Sequence, residues 1–240
     1  MADSLAFRYH DQIIEQFPLA RAGVILAQGL ENGPSPGGLK EAFFQEQRAA
    51  LDSIGETPLS ELPTLSAWRG AFRKFGINPT KYRSAAEALL RRLTKKGDVP
   101  SINTLVDIGN LVSIRYRLPV AVFDVAQLAG GITVHIADGT ERFTPLFETE
   151  VEHPEVGEVV FSDPTGLVVA RRWCWRQSDE SAARPGTQAV VICTESQHEG
   201  GQVDVENALS DLVALIGKFA GGDLVTGFVG PERSALGEWA

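Results

Sequence analysis

A change of residue pattern at Pro119 constrains the fold more than any other feature of the sequence. Before it, apolar residues recur at the spacing of amphipathic helices in segments 39–54, 64–75 and 105–115. After it, short apolar runs bounded by turn residues predict strands at 120–123, 132–137, 158–162, 167–175 and 188–194. Residues 205–219 then return to helical spacing. Helices, strands and a closing helix in this order predict an α+β fold, not a regular βαβ alternation.

The two ends of the chain predict smaller parts around this core. Tyr9, Ile13 and Phe17 have helical spacing, and the apolar run 22–27 that follows is typical of a buried strand. We therefore expect an N-terminal layer of helix and strand at 1–60 and a main domain at 61–222. The glycine-rich residues after Phe219 indicate a loosely ordered tail, 223–240.

One helix carries its own boundary signals, and another collects polar side chains. Ser84 and Glu87 have the spacing of a capping box, and Gly97 is placed to end the same helix at about residue 95. In segment 105–115, Asp107 and Asn110 lie three residues apart, nearly on one helix face. This second helix is where we expect polar chemistry.

The charge distribution is uneven although the composition is ordinary. Segment 68–96 holds nine basic residues and one acid, a net charge of +8. Because the whole chain carries −9, the rest carries −17. Such a segment can attract a polyanion to one face, or it can be a solvated helix surface, and charge alone leaves both open.

Several functions lose support from the motifs that the sequence lacks. It has no phosphate-binding loop, nucleophile elbow or zinc-protease signature. The four histidines and the two cysteines have no metal-ligand spacing, so we expect no metal and no nucleotide cofactor, and Cys174 and Cys193 read as small apolar residues in strands. The sequence shows no secretory signal and no membrane span, so we expect a cytoplasmic protein.

Several spaced motifs carry a family resemblance. They are FGINPTKYRSAAEALLRR at 75–92, VPSINTLVDIGN at 99–110 and LPVAVFD at 118–124, followed by GGITV at 130–134, GEVVFSD at 157–163 and WCWR at 173–176. Together they resemble the B3/B4 domain of the phenylalanyl-tRNA synthetase β subunit in a free-standing form. The resemblance implies a β-sandwich of unusual topology flanked by helices.

The resemblance also implies a function. In the synthetase this domain hydrolyses tyrosine wrongly esterified to tRNA, and free-standing relatives are thought to clear mischarged tRNA in trans, some of them canavanine on arginine tRNA. We therefore expect a deacylase that binds mischarged tRNA, with canavanyl-tRNA(Arg) as the candidate substrate. The alternatives are an RNA-binding module without hydrolysis and an amino-acid-binding protein. We expect a monomer or weak homodimer.

The same resemblance assigns roles to residues. Asn110 and Asp107 would place the water and the ester, although a buried amide and a structural ion pair explain them as well. The substrate pocket would use Asn103, Trp175, Arg176, Gln177 and Asp163. Loop shaping explains Asn103 equally, a turn explains Asp163 equally, and a shared strand face would bury Trp173 with Trp175. A cationic substrate side chain could meet acids at positions 158, 163, 179 and 180.

The basic segment supplies the expected tRNA contacts. Tyr82 could stack on the terminal adenine, and cationic side chains could meet phosphates: Lys81, Arg83, Arg91, Arg92 and Lys95. Helix packing and surface charge are the alternative explanation. One position departs from the family pattern, because Ala121 stands where the synthetase carries a histidine.

Overall fold

The computed structural model describes residues 6–237, so the outermost residues of the predicted N-terminal layer and tail lie outside the described range. Within it, six α-helices and a short 3-10 turn at Leu59–Glu61 precede, separate and follow the strands. The helices are α1 (Asp11–Gln16), α2 (Gly37–Ile54), α3 (Pro63–Lys74), α4 (Ala85–Lys96), α5 (Thr104–Tyr116) and α6 (Gly201–Phe219).

Ten strands within residues 6–237 form two sheets. The strands are β1 (Ala6–Tyr9), β2 (Arg21–Gln28), β3 (Val120–Asp124), β4 (Ile132–Ile136), β5 (Val159–Ser162), β6 (Val168–Arg171), β7 (Arg176–Gln177), β8 (Ala189–Ser196), β9 (Asp223–Val229) and β10 (Ala235–Gly237). One sheet has the order β10-β1-β4-β5-β6-β7, and the other has the order β3-β8-β2-β9. Only the β1–β4 pair is parallel among the described strands, so the α+β prediction is confirmed.

Strand alternation separates the two larger of the three apolar cores in the described residues. In β2, Val24 and Leu26 belong to a core shared with the six-stranded sheet, whereas Ile25 and Ala27 face a core built with α2, α4, α5 and α6. Successive side chains of a strand point to opposite faces, which explains this division. The four-stranded sheet is therefore covered by helices on one face and by the other sheet on its second face. In β8 the inter-sheet core contains Val191 and Cys193.

The helices follow the sequence prediction closely because their boundaries are encoded locally. The Ser84 side chain caps α4 by accepting a hydrogen bond from the Glu87 N–H, and Gly97 ends the helix in the left-handed region. Helices were also expected at 39–54, 64–75 and 105–115, where α2, α3 and α5 lie. At α5, Gly109 allows close contact with β3, since a Cβ there would lie 3.2 Å from Val122.

Four local expectations are corrected. The segment around Tyr9 forms β1 and not helix, because it pairs with β4 and β10, which are distant in sequence. Residues 167–175 do not form one strand, since Arg172 and Trp173 have φ of 46° and 61° and turn the chain. Cys174 therefore lies in that turn, and Trp173 and Trp175 share no strand face. The expected loose tail contains β9, which pairs along β2 from Ala22 to Gln28.

No helix in the described part of the chain is both long enough and apolar enough to span a membrane.

Candidate functional site

Two adjoining cavities open beside β3 and share Val120 and Gln177 in their walls. The inner cavity, of about 70 Å³, has a largely aromatic and apolar lining: Ala85, Pro119, Val120, Ala121, Phe123, Phe161, Ala170, Trp173, Cys174, Trp175, Arg176, Gln177 and Glu195. The outer cavity, of about 290 Å³, is lined by Ile102, Asn103, Val106, Gly109, Asn110, Val120, Val122, Leu146, Phe147, Gln177, Ala182, Ala183, Arg184 and Pro185. Concave, mostly apolar sites with a few polar groups are typical of small-molecule binding.

Glu195 is the one carboxylate in the inner cavity. It lies on the same face of β8 as Val191 and Cys193 and is only 2% exposed. Its Oε1 accepts hydrogen bonds from the Tyr9 hydroxyl at 2.5 Å and the Trp173 indole N–H at 3.0 Å. Burial raises the pKa of Glu195 to about 7, although both hydrogen bonds favour the charged form. A carboxyl poised near neutrality can bind a cation or exchange a proton at physiological pH.

Neutral groups and one small side chain lie near Glu195. Burial raises the pKa of both the Tyr9 hydroxyl and the Cys174 thiol well above their ordinary values, so both stay protonated at neutral pH. Ala121 lines the inner cavity, where a histidine would project an imidazole ring. The small side chain therefore leaves room next to the carboxylate.

Asn110 lies in the wall of the outer cavity on α5. It is partly exposed, and its amide has no hydrogen-bond partner within residues 6–237. Gln177, in the wall between the cavities, donates from Nε2 to the carbonyls of Val122 at 2.9 Å and Ser181 at 2.7 Å. These donations orient Gln177 while its Oε1 stays available to a ligand. The two amides can thus donate to and accept from a polar group between them.

Asp107 does not line either cavity, in contrast to its predicted catalytic position. It is fully buried, and its carboxylate accepts hydrogen bonds from Ser35 Oγ at 2.6 Å, Ser101 Oγ at 2.5 Å and the Ile102 N–H at 2.8 Å. These bonds tie the 32–38 loop to the start of α5. Its geometry is that of a structural group holding the helix that carries Asn110.

Of the other predicted pocket residues, three line a cavity and one does not. Asn103 lines the outer cavity, but its amide is engaged as the α5 cap and as a donor to Ala183 O at 2.9 Å. Trp175 and Arg176 line the inner cavity, with the Arg176 guanidinium 5.4 Å from the Trp175 ring. Asp163 lines neither cavity, because its carboxylate accepts from Thr165, Leu167 and Ala129 in a buried turn.

The remaining acids do not form a common cationic-side-chain pocket. Glu158 is buried in ion pairs with Arg171 at 2.7 Å and Arg172 at 2.9 Å. Asp179 pairs with Arg184 at 2.8 Å, and Glu180 accepts from Thr144 at 2.6 Å. Each of these carboxylates has a partner within the fold, although Glu180 Oε2 is buried without one, and none of them lines the inner cavity.

Tyr82 is half-buried, and other side chains of the protein contact its ring. The Arg172 guanidinium lies 4.0 Å from the centre of its ring, and the Trp175 ring lies 4.9 Å away at a steep angle. A cation over the ring face and an aromatic edge beside it are favourable contacts. They leave Tyr82 poorly placed to stack on a base, and they support the outer wall of the inner cavity through Trp175.

Three of the predicted basic residues border a third concavity, which we name the basic cleft. Its volume is about 440 Å³, and its cationic lining consists of Arg69, Arg83, Arg91 and Lys95. Glu87 pairs with Arg69 at 2.7 Å and Arg83 at 3.6 Å, which leaves Arg91 and Lys95 without an acidic partner in the described chain. Lys81 and Arg92 are exposed outside it. Arg83, which lines the cleft, and Ala85, which lines the inner cavity, are two residues apart in the chain.

No cluster of three or more His, Cys, Asp or Glu side chains in residues 6–237 is arranged to hold a metal ion.

Comparison with known proteins identifies the domain that carries these cavities. The family model described as the B3/4 domain matches residues 67–221, more than half of the chain. The chain belongs to the B3/4 domain family. It is 32% identical to the phenylalanine–tRNA ligase β subunit of Geobacter metallireducens over 162 residues, covering 59% of this chain and 20% of that subunit. The Shewanella oneidensis subunit is 31% identical over 94 residues, covering 39% and 12%.

The chain thus spans about a fifth or less of these curated relatives. An N-terminal fragment of the β subunit from Pyrococcus horikoshii aligns with 92% of this chain and 50% of that chain, with 12% identity and a TM-score of 0.48. The B3/4 match includes Asn110, Gln177 and Glu195 of the two cavities and the four basic residues that line the cleft.

Sequence reasoning missed two residues of the site. The sequence does contain a signal for Glu195. This residue continues the apolar face that Val191 and Cys193 form at a predicted strand, where a carboxylate is unexpected. The sequence contains no such signal for Phe147, because its loop shows no periodicity and its exposure depends on the tertiary fold.

Proposed function

We propose that this protein is an aminoacyl-tRNA deacylase that acts in trans on a mischarged tRNA. In the reaction, a water oxygen adds to the ester carbonyl carbon, the bond to the terminal ribose oxygen breaks, and a proton from the water ends on that oxygen. The products are the free amino acid and the uncharged tRNA. Membership of the B3/4 family, whose matched relatives are tRNA ligase subunits, supports a tRNA substrate.

The observation that carries the proposal is Glu195 in the inner cavity. An enzyme that removes a wrong amino acid must recognise its side chain in a pocket that excludes water. The inner cavity offers aromatic walls and one buried carboxyl with its pKa near 7. We assign the amino-acid side chain to this cavity and the recognition of its polar end to Glu195.

The outer cavity suits the ester and the attacking water. The Asn110 amide has no partner there among the described residues, and Gln177 lies between the two cavities. An amide donor aimed at the developing oxyanion stabilises the transition state of acyl transfer. Asn110 therefore places the ester or its water, and Asp107 supports it by fixing α5.

The candidate substrate is canavanyl-tRNA(Arg). A guanidinium-like head is planar and cationic, so it suits an aromatic box that ends in a carboxylate. Ala121 leaves the space that such a head needs beside Glu195. Binding of the cation would ionise Glu195, so kcat/KM is expected to rise with pH through about 7.

A panel assay tests the function. The protein is incubated with tRNAs that carry near-cognate amino acids, including canavanine on arginine tRNA, and the loss of the ester is followed. Faster hydrolysis of canavanyl-tRNA(Arg) than of tRNAs that carry neutral amino acids is expected, because the pocket pairs a cationic head with Glu195. Intact esters across the whole panel would refute hydrolysis.

Ala121→His tests the assignment of the inner cavity. The imidazole would occupy space next to Glu195, so turnover of canavanyl-tRNA(Arg) is expected to fall by about tenfold or more. Binding of the same uncharged tRNA should stay unchanged, because the basic cleft is intact. Unchanged turnover in this variant would place the amino-acid side chain elsewhere.

The basic cleft supplies a second prediction. Arg91→Glu with Lys95→Glu is expected to raise KM for aminoacyl-tRNA by about tenfold near physiological salt, with little change in kcat. The dependence of KM on salt should also become shallower, since fewer counterions are released. Lys40→Glu with Arg48→Glu on α2 makes the same change in charge away from the cleft. An equal effect in that control would assign the loss to net charge instead of contact.

A non-catalytic RNA-binding module is the second candidate. The observation that favours it is Ala121, which leaves the inner cavity without an imidazole to activate water. RNA retention through the basic cleft without ester turnover would select it. An amino-acid-binding protein is the third reading, and ligand binding that is insensitive to salt without RNA retention would select that one.

A further inference from the structure

Phe147 combines two unfavourable features at the rim of the outer cavity. Its side chain is 89% exposed, and its φ of 66° lies in the left-handed region, which a bulky residue rarely adopts. Exposure of an aromatic ring costs hydrophobic free energy, and a left-handed backbone adds strain. Strained residues that persist in a fold cluster at functional sites, so the pair of features points to a ligand.

A small polar network holds this conformation in place. Asp179 Oδ1 accepts a hydrogen bond from the Phe147 N–H at 3.1 Å and forms an ion pair with Arg184 at 2.8 Å. Arg184 also donates to the Asp179 carbonyl at 2.9 Å. The hydrogen bond from Phe147 lowers the pKa of Asp179, so the carboxylate that fixes the loop is ionised at neutral pH. The Phe147 ring is therefore exposed because this hydrogen bond and ion pair hold its loop in this conformation.

The neighbours of Phe147 define the kind of ligand. Ile102, 61% exposed, lines the same cavity, as does Asn110, whose amide has no partner within residues 6–237. Flat apolar surface beside an amide that can donate and accept suits a heterocyclic base, whose face is apolar and whose edge is polar. Phe44 and Phe228 are also exposed, but neither lines a cavity of this site.

We propose that Phe147 is the stacking platform for the 3′-terminal adenine of the acceptor end, an inference that rests on the proposed function. The ester is carried on the terminal ribose, so an ester beside Asn110 places its own base within one nucleoside of that amide. Tyr82, the aromatic that the sequence favours for stacking, is covered by Arg172. Phe147 is therefore the aromatic that remains available where the base must lie.

Two substitutions separate the ring from the backbone. Phe147→Gly removes the ring and suits a φ of 66°, so it keeps the loop conformation. Phe147→Trp keeps an aromatic face. Adenosine 5′-monophosphate is the probe for the base, and ribose 5-phosphate, which lacks the base, is its control; both are measured by calorimetry or ligand-observed NMR.

The nucleotide is expected to bind about tenfold more weakly to Phe147→Gly than to the natural protein or to Phe147→Trp. Ribose 5-phosphate should bind equally weakly to all three. In the deacylation assay, Phe147→Gly should raise KM with a smaller effect on kcat. Equal nucleotide binding by all three proteins, or no nucleotide binding by the natural protein, overturns the proposal.

The outcomes keep the two proposals apart. Ring-dependent nucleotide binding without hydrolysis of any ester supports the stacking platform and refutes the deacylase. Hydrolysis with an unchanged KM in Phe147→Gly supports the deacylase and refutes the stacking platform.

Discussion

Glu195→Gln is expected to lower turnover of canavanyl-tRNA(Arg) by at least about a hundredfold while making the protein more stable at pH 8. The amide keeps the size of the side chain, and its oxygen can still accept from Tyr9 and Trp173. It cannot pair with a cation, and loss of one partner of a buried charge pair costs about 2–5 kcal/mol. Function and stability should therefore move in opposite directions at this residue.

The sign of the stability change follows from the raised pKa. Burial raises the pKa of Glu195 from 4.5 to about 7 in the folded protein. Between these values the folded state holds a proton that the unfolded state has released, so the free energy of unfolding falls as pH rises. Above about pH 7 the penalty is complete, and the shift corresponds to about 3 kcal/mol. Below about pH 4.5 it is absent.

Urea denaturation of both proteins at pH 5 and pH 8 measures this effect. Relative to the natural protein, Glu195→Gln should gain about 3 kcal/mol at pH 8 and much less at pH 5. Asp138→Asn is a suitable control, because Asp138 is exposed to solvent and lines neither cavity. A stability gain of the same size at both pH values would mean that ionisation of Glu195 is not its cause.

The parts of the fold that the sequence predicted are those whose signals are local. Ser84 and Gly97 mark the ends of α4 within fifteen residues of each other, and the apolar period of α5 requires no distant partner. β1 was missed because its four residues become a strand only by pairing with β4 and β10. The same cause hid β9, whose residues pair with β2 near the other end of the chain.

The candidate site was predicted only in part, because some of its contacts join segments that are distant in sequence. Asn110 and Gln177 were named through family motifs and do line the cavities. Glu195 was not named, because its environment is made by Tyr9 and Trp173 from distant segments. Tyr82 was assigned to stacking because nothing near it in sequence reveals Arg172 over its ring.

Asp107 and Asn110 lie three residues apart on α5. We expect replacement of Asp107 to lower mainly the stability and replacement of Asn110 to lower mainly the turnover. Asp107→Asn should lower the free energy of unfolding by about 3 kcal/mol or more, because an amide nitrogen in place of Oδ2 cannot accept from Ser35 and Ser101 and each hydrogen bond to a charged group contributes about 1.5–3 kcal/mol. Asn110→Ala should change stability by less than about 1 kcal/mol, since its amide has no partner in the described chain.

Turnover should follow the reverse order. Asn110→Ala is expected to lower kcat about a hundredfold, the usual loss when one oxyanion donor is removed. Asp107→Asn should keep kcat within about tenfold when the assay temperature leaves both variants folded, because its carboxylate lies outside the cavities. Denaturation curves and single-turnover assays on the same preparations provide both quantities. A stable Asp107→Asn protein without turnover would show that Asp107 takes part in the reaction, as its position one turn before Asn110 suggested. Loss of stability alone would establish it as the anchor of the helix that presents Asn110.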